Sequence, residues 1–243
     1  MTARPFVRKA LYIAALAILL DLAFNGATSA EPGPQVVGGR SMDAASSAEP
    51  TPSLPTVHDG AYRIRYSSQP SIKGDAVATA AATCDGCSGS ASTVQVLYLT
   101  GTKQARVDNV AAAWSRCNTC NSKAVSLQLV LLSGDASLVA NNRSLADNVS
   151  CNGCKTVAAA YQIVFQNVGA APSPSMRQQL EDWAGRQAAS LNAGTGKVGK
   201  ADRLRANRVA ADGLAGLQSL VAKQTGGTLV RKAAAVRLGG PAG

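Results

Sequence analysis

Apolar and polar positions alternate with a period of two in several segments between residues 62 and 165, the mark of strands with unlike faces. Tyr62, Ile64 and Tyr66 alternate with Arg63 and Arg65, which predicts a first strand. The same spacing returns as Val94, Val96 and Tyr98, as Leu127, Leu129 and Leu131, and as Tyr161, Ile163 and Phe165. In each of these three segments a glutamine (Gln95, Gln128, Gln162) stands on the other face. The pattern predicts strands with the aliphatic face on a core and the glutamine face turned away. Shorter stretches at 76–82, 107–114 and 144–149 also read as extended. Past Gly169 the period changes from two to helical: Met176, Leu180, Trp183, Gln187 and Leu191 predict one helix, with Ser173 or Ser175 as its cap. Leu204, Leu214, Leu217 and Val221 predict a second, and the pair reads as a helical hairpin laid on one sheet face.

The strands belong to a repeat. Cys84, Cys117 and Cys151 lie 33 and 34 residues apart, and each is followed three residues later by Cys87, Cys120 or Cys154. Alanines (Ala91, Ala124, Ala158) and the three glutamines keep the same register after each first cysteine, and Asp75, Asp108 and Asn142 keep it before. A fixed period of this size marks a repeat architecture. Within the cassettes stand Asp85-Gly86, Asn118-Thr119 and Asn152-Gly153. Asp-Gly and Asn-Gly are strong two-residue hairpin signals, because both central residues of that turn need positive φ. Each cassette therefore predicts the tip of an antiparallel hairpin, with Thr119 as the departure, since a β-branched residue tolerates positive φ badly.

The ends carry different signals. Arg4, Arg8 and Lys9, an apolar run over 10–20 and the small residues Ala27-Thr28-Ser29-Ala30 have the layout of a signal peptide cleaved near Ala30. An uncleaved anchor is the second reading, because the run is shorter than the roughly 20 residues a membrane span needs. Residues 31–60, rich in Pro, Ser, Gly and Ala, read as a linker, and 225–243 as a flexible basic tail. The expected organisation is thus a signal peptide (1–30), a linker (31–60), a CxxC β-repeat domain (61–171), a helical hairpin (172–224) and the tail.

Charge is concentrated late in the chain. Residues 31–171 hold 10 Lys/Arg against 9 Asp/Glu, and residues 172–243 hold 11 against 4. Outside a cell, a basic region of this kind suits an anionic envelope polymer or a membrane surface. An equally good account is a solvated helical pair. Nucleic acid is disfavoured, because no aromatic residues interleave with the basic ones and no binding motif is present.

Four chemistries are open to the cassettes. Six cysteines in an exported chain favour disulfides. A local clip closes a short loop, whereas a bond between repeats would close about 30 residues and stabilise by roughly 3 to 4 kcal/mol. Zinc ranks second, since six thiolates suit one tetrahedral ion poorly. Thiol–disulfide exchange ranks third, because a strand rather than a helix N-terminus follows each cassette. The glutamine column would form a polar ladder, more naturally structural than ligand-binding. His58 is the only histidine, which excludes HExxH zinc proteolysis and disfavours a histidine-dependent hydrolase. Carboxylates show no glycosidase pairing. The glycines Gly194, Gly196 and Gly199 match a phosphate-loop spacing, but a helix precedes them and Ala201 stands where Ser or Thr should be, so no nucleotide is expected.

Asn109-Val110-Ala111-Ala112-Ala113 ahead of Cys117 and Cys120, and the run from Cys151 and Cys154 through Lys155-Thr156-Val157-Ala158-Ala159-Ala160-Tyr161-Gln162, carry a resemblance. The chain resembles actinobacterial secreted proteins built of NxAxA…CxxCxTxAxAxQ units, some of them labelled peptide zinc metalloproteases. The likeness runs over about residues 75–191, with the first repeat departing most at Ser88, Gly89 and Ser90. It implies secretion and a repeated architecture, and it carries no active site onto this chain. The expectation is an α+β protein of three antiparallel β-hairpin repeats followed by a helical hairpin. Its expected role is that of a secreted, envelope-associated structural or binding protein, non-catalytic and without cofactor. The alternative is a zinc-binding or redox protein acting through its cassettes.

Overall fold

The computed structural model describes residues 42–169, 171–192 and 200–239. Among the described residues, nine strands and two helices follow in order: β1 (Ala44–Ala48), β2 (Thr56–Ser67), β3 (Ser71–Ala82), β4 (Ser88–Leu99), β5 (Gln104–Ser115), β6 (Asn121–Leu132), β7 (Ser137–Asn148) and β8 (Lys155–Gln166). Helix α1 (Pro174–Asn192), helix α2 (Lys200–Thr225) and β9 (Thr228–Leu238) complete them. None of the described helices is long and apolar enough to cross a membrane. The expected signal segment and the Gly194–Gly199 motif lie outside the described residues.

The strands form two sheets, one ordered β1-β3-β5-β7 and the other β2-β4-β6-β8-β9, parallel throughout except for the antiparallel β8–β9 pair. Each turn of chain lays one strand in the first sheet, crosses to lay the next in the second, and returns one level higher. The result is a β-solenoid of about four turns. This overturns the expected antiparallel hairpins: β3 and β4 do not pair with each other but face one another across an interior. Period-two alternation says that a segment is a strand, not which strand its backbone bonds. The turn geometry agrees with the correction. Only the third residue of each cassette takes positive φ (Gly86 72°, Thr119 57°, Gly153 71°), whereas the two-residue hairpin needs two in succession.

The expected linker is a further correction. Residues 44–48 and 56–60 belong to β1 and β2, the first turn of the solenoid, so His58 sits exposed on a strand. Register carries Pro52 and Pro55 onto the positions of Cys84 and Cys87. This arc is closed by reciprocal backbone bonds between Thr51 and Leu54 (N···O 3.1 and 3.0 Å) rather than by sulfur. Prolines and missing cysteines hid this turn from any alignment on the cassettes. The expected tail is corrected likewise: β9 pairs with β8 over nearly its whole length.

The central strands of sheet two, β4, β6 and β8, are buried on both faces. Their outer face (Val94, Val96, Tyr98, Leu127, Leu129, Leu131, Ile163, Phe165) lies under Met176, Leu180 and Trp183 of α1 and Leu217 and Val221 of α2. Ser173 caps α1, its Oγ accepting from Met176 N at 3.2 Å. The glutamine face, expected to turn away, looks into the interior between the sheets. There alanines (Ala78, Ala80, Ala91, Ala111, Ala113, Ala124, Ala158) fill the end nearest the cassettes. Leucines and valines (Leu97, Leu99, Val107, Val130, Leu132, Val164) fill the far end.

Candidate functional site: the cysteine edge and its ladders

All three cassettes stack along one edge of the solenoid. Each is paired within itself at disulfide distance: Cys84 with Cys87, Cys117 with Cys120, Cys151 with Cys154, with Cα separations of 5.4, 5.9 and 5.9 Å. The cysteines pack together with Ala82, Cys87, Cys117 and Cys120 being buried. Backbone bonds bind arc to arc without sulfur: Gly86 N donates to Asn118 O (2.9 Å), Thr119 N to Asn152 O (2.8 Å) and Lys155 N to Cys120 O (2.9 Å). Asp85 adds a side-chain acceptor for Asn118 N at 2.7 Å. Across the gap between the second and third arcs, the Sγ atoms of Cys120, Cys151 and Cys154 all lie within 4.8 Å of one another.

The glutamine column forms a continuous ladder, all three side chains wholly buried. Gln162 Nε2 donates to Gln128 Oε1 (2.7 Å), and Gln128 Nε2 donates to Gln95 Oε1 (2.6 Å). Gln95 Nε2 ends the run on the carbonyls of Met42 and Asp75 (2.7 and 2.9 Å). At the other end Arg231 of β9 donates its Nε to Gln162 Oε1 at 3.0 Å. In the first turn Arg63 takes the glutamine register and bonds the carbonyl of Asp43.

A second interior ladder was missed. Asn109 Nδ2 donates to Asn142 Oδ1 (2.7 Å) and to Tyr161 O (2.8 Å), and Ser126 Oγ donates to Asn109 Oδ1 (2.6 Å). Alignment on cysteines placed Asn142 with Asp108, but the sheet pairs Asn142 with Asn109 and Asn141 with Asp108. The third repeat carries its extra residue between β7 and Cys151, where Ser150 takes φ 49°. Counting back from Cys151 therefore slips β7 by one residue, which flips every side chain to the wrong face.

The true outer column on sheet one is Asp43, Asp75, Asp108 and Asn141. Asp75 N donates to Asp43 Oδ1 (2.9 Å), Asn141 Nδ2 donates to Asp108 Oδ1 (2.6 Å), and Arg143 reaches Asp108 at 3.6 Å. Burial raises the Asp75 carboxyl above the ordinary aspartate range. The Asp43 and Asp108 carboxylates add to the rise, and Lys73, 3.6 Å away, opposes it.

Of the basic C-terminal third, Arg208, Lys223, Lys232 and Arg237 are exposed, on α2 and β9.

Fold and edge together define a helix-covered β-solenoid whose stacked arcs are clipped by CxxC pairs. The chain matches no family model, no curated protein and no solved structure.

Proposed function

We propose that the protein is an exported, envelope-associated structural or binding protein, non-catalytic, whose rigid solenoid is braced by its cassettes. The observation that carries this reading is where the polar chemistry is spent. Gln95, Gln128, Gln162 and Asn109 are consumed by ladders inside the solenoid, and each cassette is closed upon itself. Such ladders stabilise a stack, and these four side chains are turned into it and not outward. Short disulfide-closed loops in a chain with a signal-peptide layout suit an oxidising compartment. The resemblance to secreted CxxC-repeat proteins supports export as well.

The partner on this reading is an anionic envelope polymer or membrane surface, met by the exposed basic residues of α2 and β9. The test substitutes Arg208, Lys223, Lys232 and Arg237 with Gln, leaving the fold in place. Parent protein should sediment with purified anionic cell-wall polysaccharide, or with vesicles containing acidic phospholipid, at low salt and be released as salt rises. The fourfold variant should stay in solution. Equal sedimentation of both proteins would show that these four residues do not make the contact. A second reading, metal or redox work through the cassettes, has one observation in its favour, the approach of Cys120 to Cys151 and Cys154.

A further inference from the structure

We propose that Cys120, Cys151 and Cys154, once reduced, form a three-thiolate site for copper(I) between the second and third arcs. This goes beyond the bracing role, which concerns the oxidised chain and stands whether or not copper binds.

The geometry is close to what such an ion requires. Metal–sulfur bonds of about 2.3 Å in a trigonal plane put the sulfurs roughly 4.0 Å apart. The three Sγ atoms lie within 4.8 Å of each other, with Cys151 and Cys154 at disulfide distance; once reduced, those two sulfurs move apart by side-chain rotation to reach that spacing, with the Cys120 sulfur already beside them. The backbone holding them does not depend on sulfur. Thr119 N to Asn152 O and Lys155 N to Cys120 O tie the second and third arcs together, and Asn121 N to Cys87 O ties the first arc to the second. Breaking the S–S bonds therefore leaves the three side chains on the same scaffold.

Surroundings and access agree. Cys120 is wholly buried, so one ligand is shielded from water. Cys151 borders an open groove of about 610 Å³ lined also by Asn118, Asp147 and Asn152, which gives an ion a way in. Ligand number chooses the metal. Zinc in a structural site takes four ligands, and two stacked cassettes would supply them only if Cys117 joined; it does not fall within the cluster. Three soft thiolates without a fourth donor suit copper(I), which thiolates select.

The chemistry balances as follows. A dithiol reductant delivers two electrons and two protons to each of the Cys117–Cys120 and Cys151–Cys154 disulfides and is itself oxidised to a cyclic disulfide. Copper(I) then displaces one proton from each of the Cys120, Cys151 and Cys154 thiols. Cys117 stays a thiol, and copper does not change oxidation state. The oxidised chain has no thiolate to offer, so binding is gated by reduction.

The experiment uses the full chain, reduced with a dithiol and freed of reductant under anaerobic conditions. It is titrated with copper(I) against a chromogenic copper(I) chelator, with far-ultraviolet circular dichroism recorded alongside. One equivalent bound by the reduced protein and none by the oxidised protein is expected. Cys120→Ser should weaken binding by more than the roughly hundredfold that changes outside the ligand shell produce. Cys117→Ser and the pair Cys84→Ser/Cys87→Ser should each keep the one equivalent. The proposal is overturned if Cys117→Ser weakens binding as much as Cys120→Ser, or if the Cys84/Cys87 pair is required. It is equally overturned if reduced protein with its native dichroism binds none, or if reduction alone abolishes the strand signal.

Discussion

Replacing Gln128 by Leu tests whether the interior ladder holds the solenoid together. Gln128 is the middle rung: it donates to Gln95 Oε1 at 2.6 Å and accepts from Gln162 Nε2 at 2.7 Å. Leucine nearly fills the space but leaves Gln95 Oε1 without that donor in a dry interior. Orphaning a buried acceptor costs about 1–3 kcal/mol. Gln162 Nε2 keeps Asn141 O at 3.1 Å, so its loss is smaller, about 1 kcal/mol. The expected destabilisation is about 2–4 kcal/mol. Replacing Gln95, Gln128 and Gln162 by Leu together removes the mutual partners as well. The triple variant should therefore cost clearly less than the sum of the three single changes, the sign of coupled groups. Urea unfolding followed by circular dichroism and by the fluorescence of Trp114 and Trp183 measures both, provided the two probes give one transition. A Gln128→Leu change within about 0.5 kcal/mol of the parent, the range of ordinary surface substitutions, would refute the ladder as a stabilising device. So would strict additivity in the triple variant.

Three further outcomes follow from particular residues. Deleting residues 227–243 removes β9 and the Arg231 plug, exposing the β8 edge. Open strand edges template pairing with other chains, so light scattering should report self-association; a monodisperse monomer would contradict this. Thr119→Gly relieves a β-branched residue at φ 57°, and even against the added freedom of the unfolded chain it should stabilise by about 0.5–1 kcal/mol; a lower urea midpoint would refute it. Asp75 has a carboxyl raised by burial, so its charge opposes folding at neutral pH. That penalty is present above its folded pKa and relieved as pH falls through it toward the ordinary aspartate value of 3.8. Asp75→Asn should therefore be more stable than the parent at pH 7, with the gap closing as pH falls, and a gap that widens in acid would reverse the assignment.

Much of this was legible because repeats repeat. The period, the strands after each cassette, the glutamine register and the buried face of α1 all stand in the spacing of single residues. The pairing of strands was not legible. Val94, Gln95 and Val96 alternate identically whether their neighbour is joined by a hairpin or stacked 33 residues on, and here Gln95 pairs with Gln128. An Asp-Gly tip pointed to the hairpin because one left-handed residue serves a β-arc as well as it serves half of a two-residue turn. The double burial of sheet two was hidden for a related reason. Alternation shows two faces of different character, and Gln95 is as buried as Val94 because its amide finds its partners in a ladder. The first turn was legible only in the Tyr62, Ile64 and Tyr66 alternation of β2, because Pro52, Pro55 and Arg63 replace the residues that mark the other three turns.

The C-terminal third carries two duties that charge alone cannot separate. A solenoid is close to a one-dimensional stack, in which each turn is stabilised by its neighbours and the ends are weakest. Local cassettes do little for that weakness: a four-residue loop gives about 2 kcal/mol per disulfide by chain entropy, and none of the bonds joins one turn to the next. The ends need covers of their own. At the last turn β9 pairs with β8 and Arg231 closes the glutamine ladder, while α1 and α2 bury the aliphatic face of sheet two. Arg231 thus serves the stack, whereas Lys232 and Arg237 on the same strand stay exposed and are available to an anionic partner. Removing this region would unseat the core and abolish any binding for reasons unrelated to charge. Neutralising the exposed basic residues in place, with Arg231 kept, is the form of the experiment that can tell a cap from a binding face.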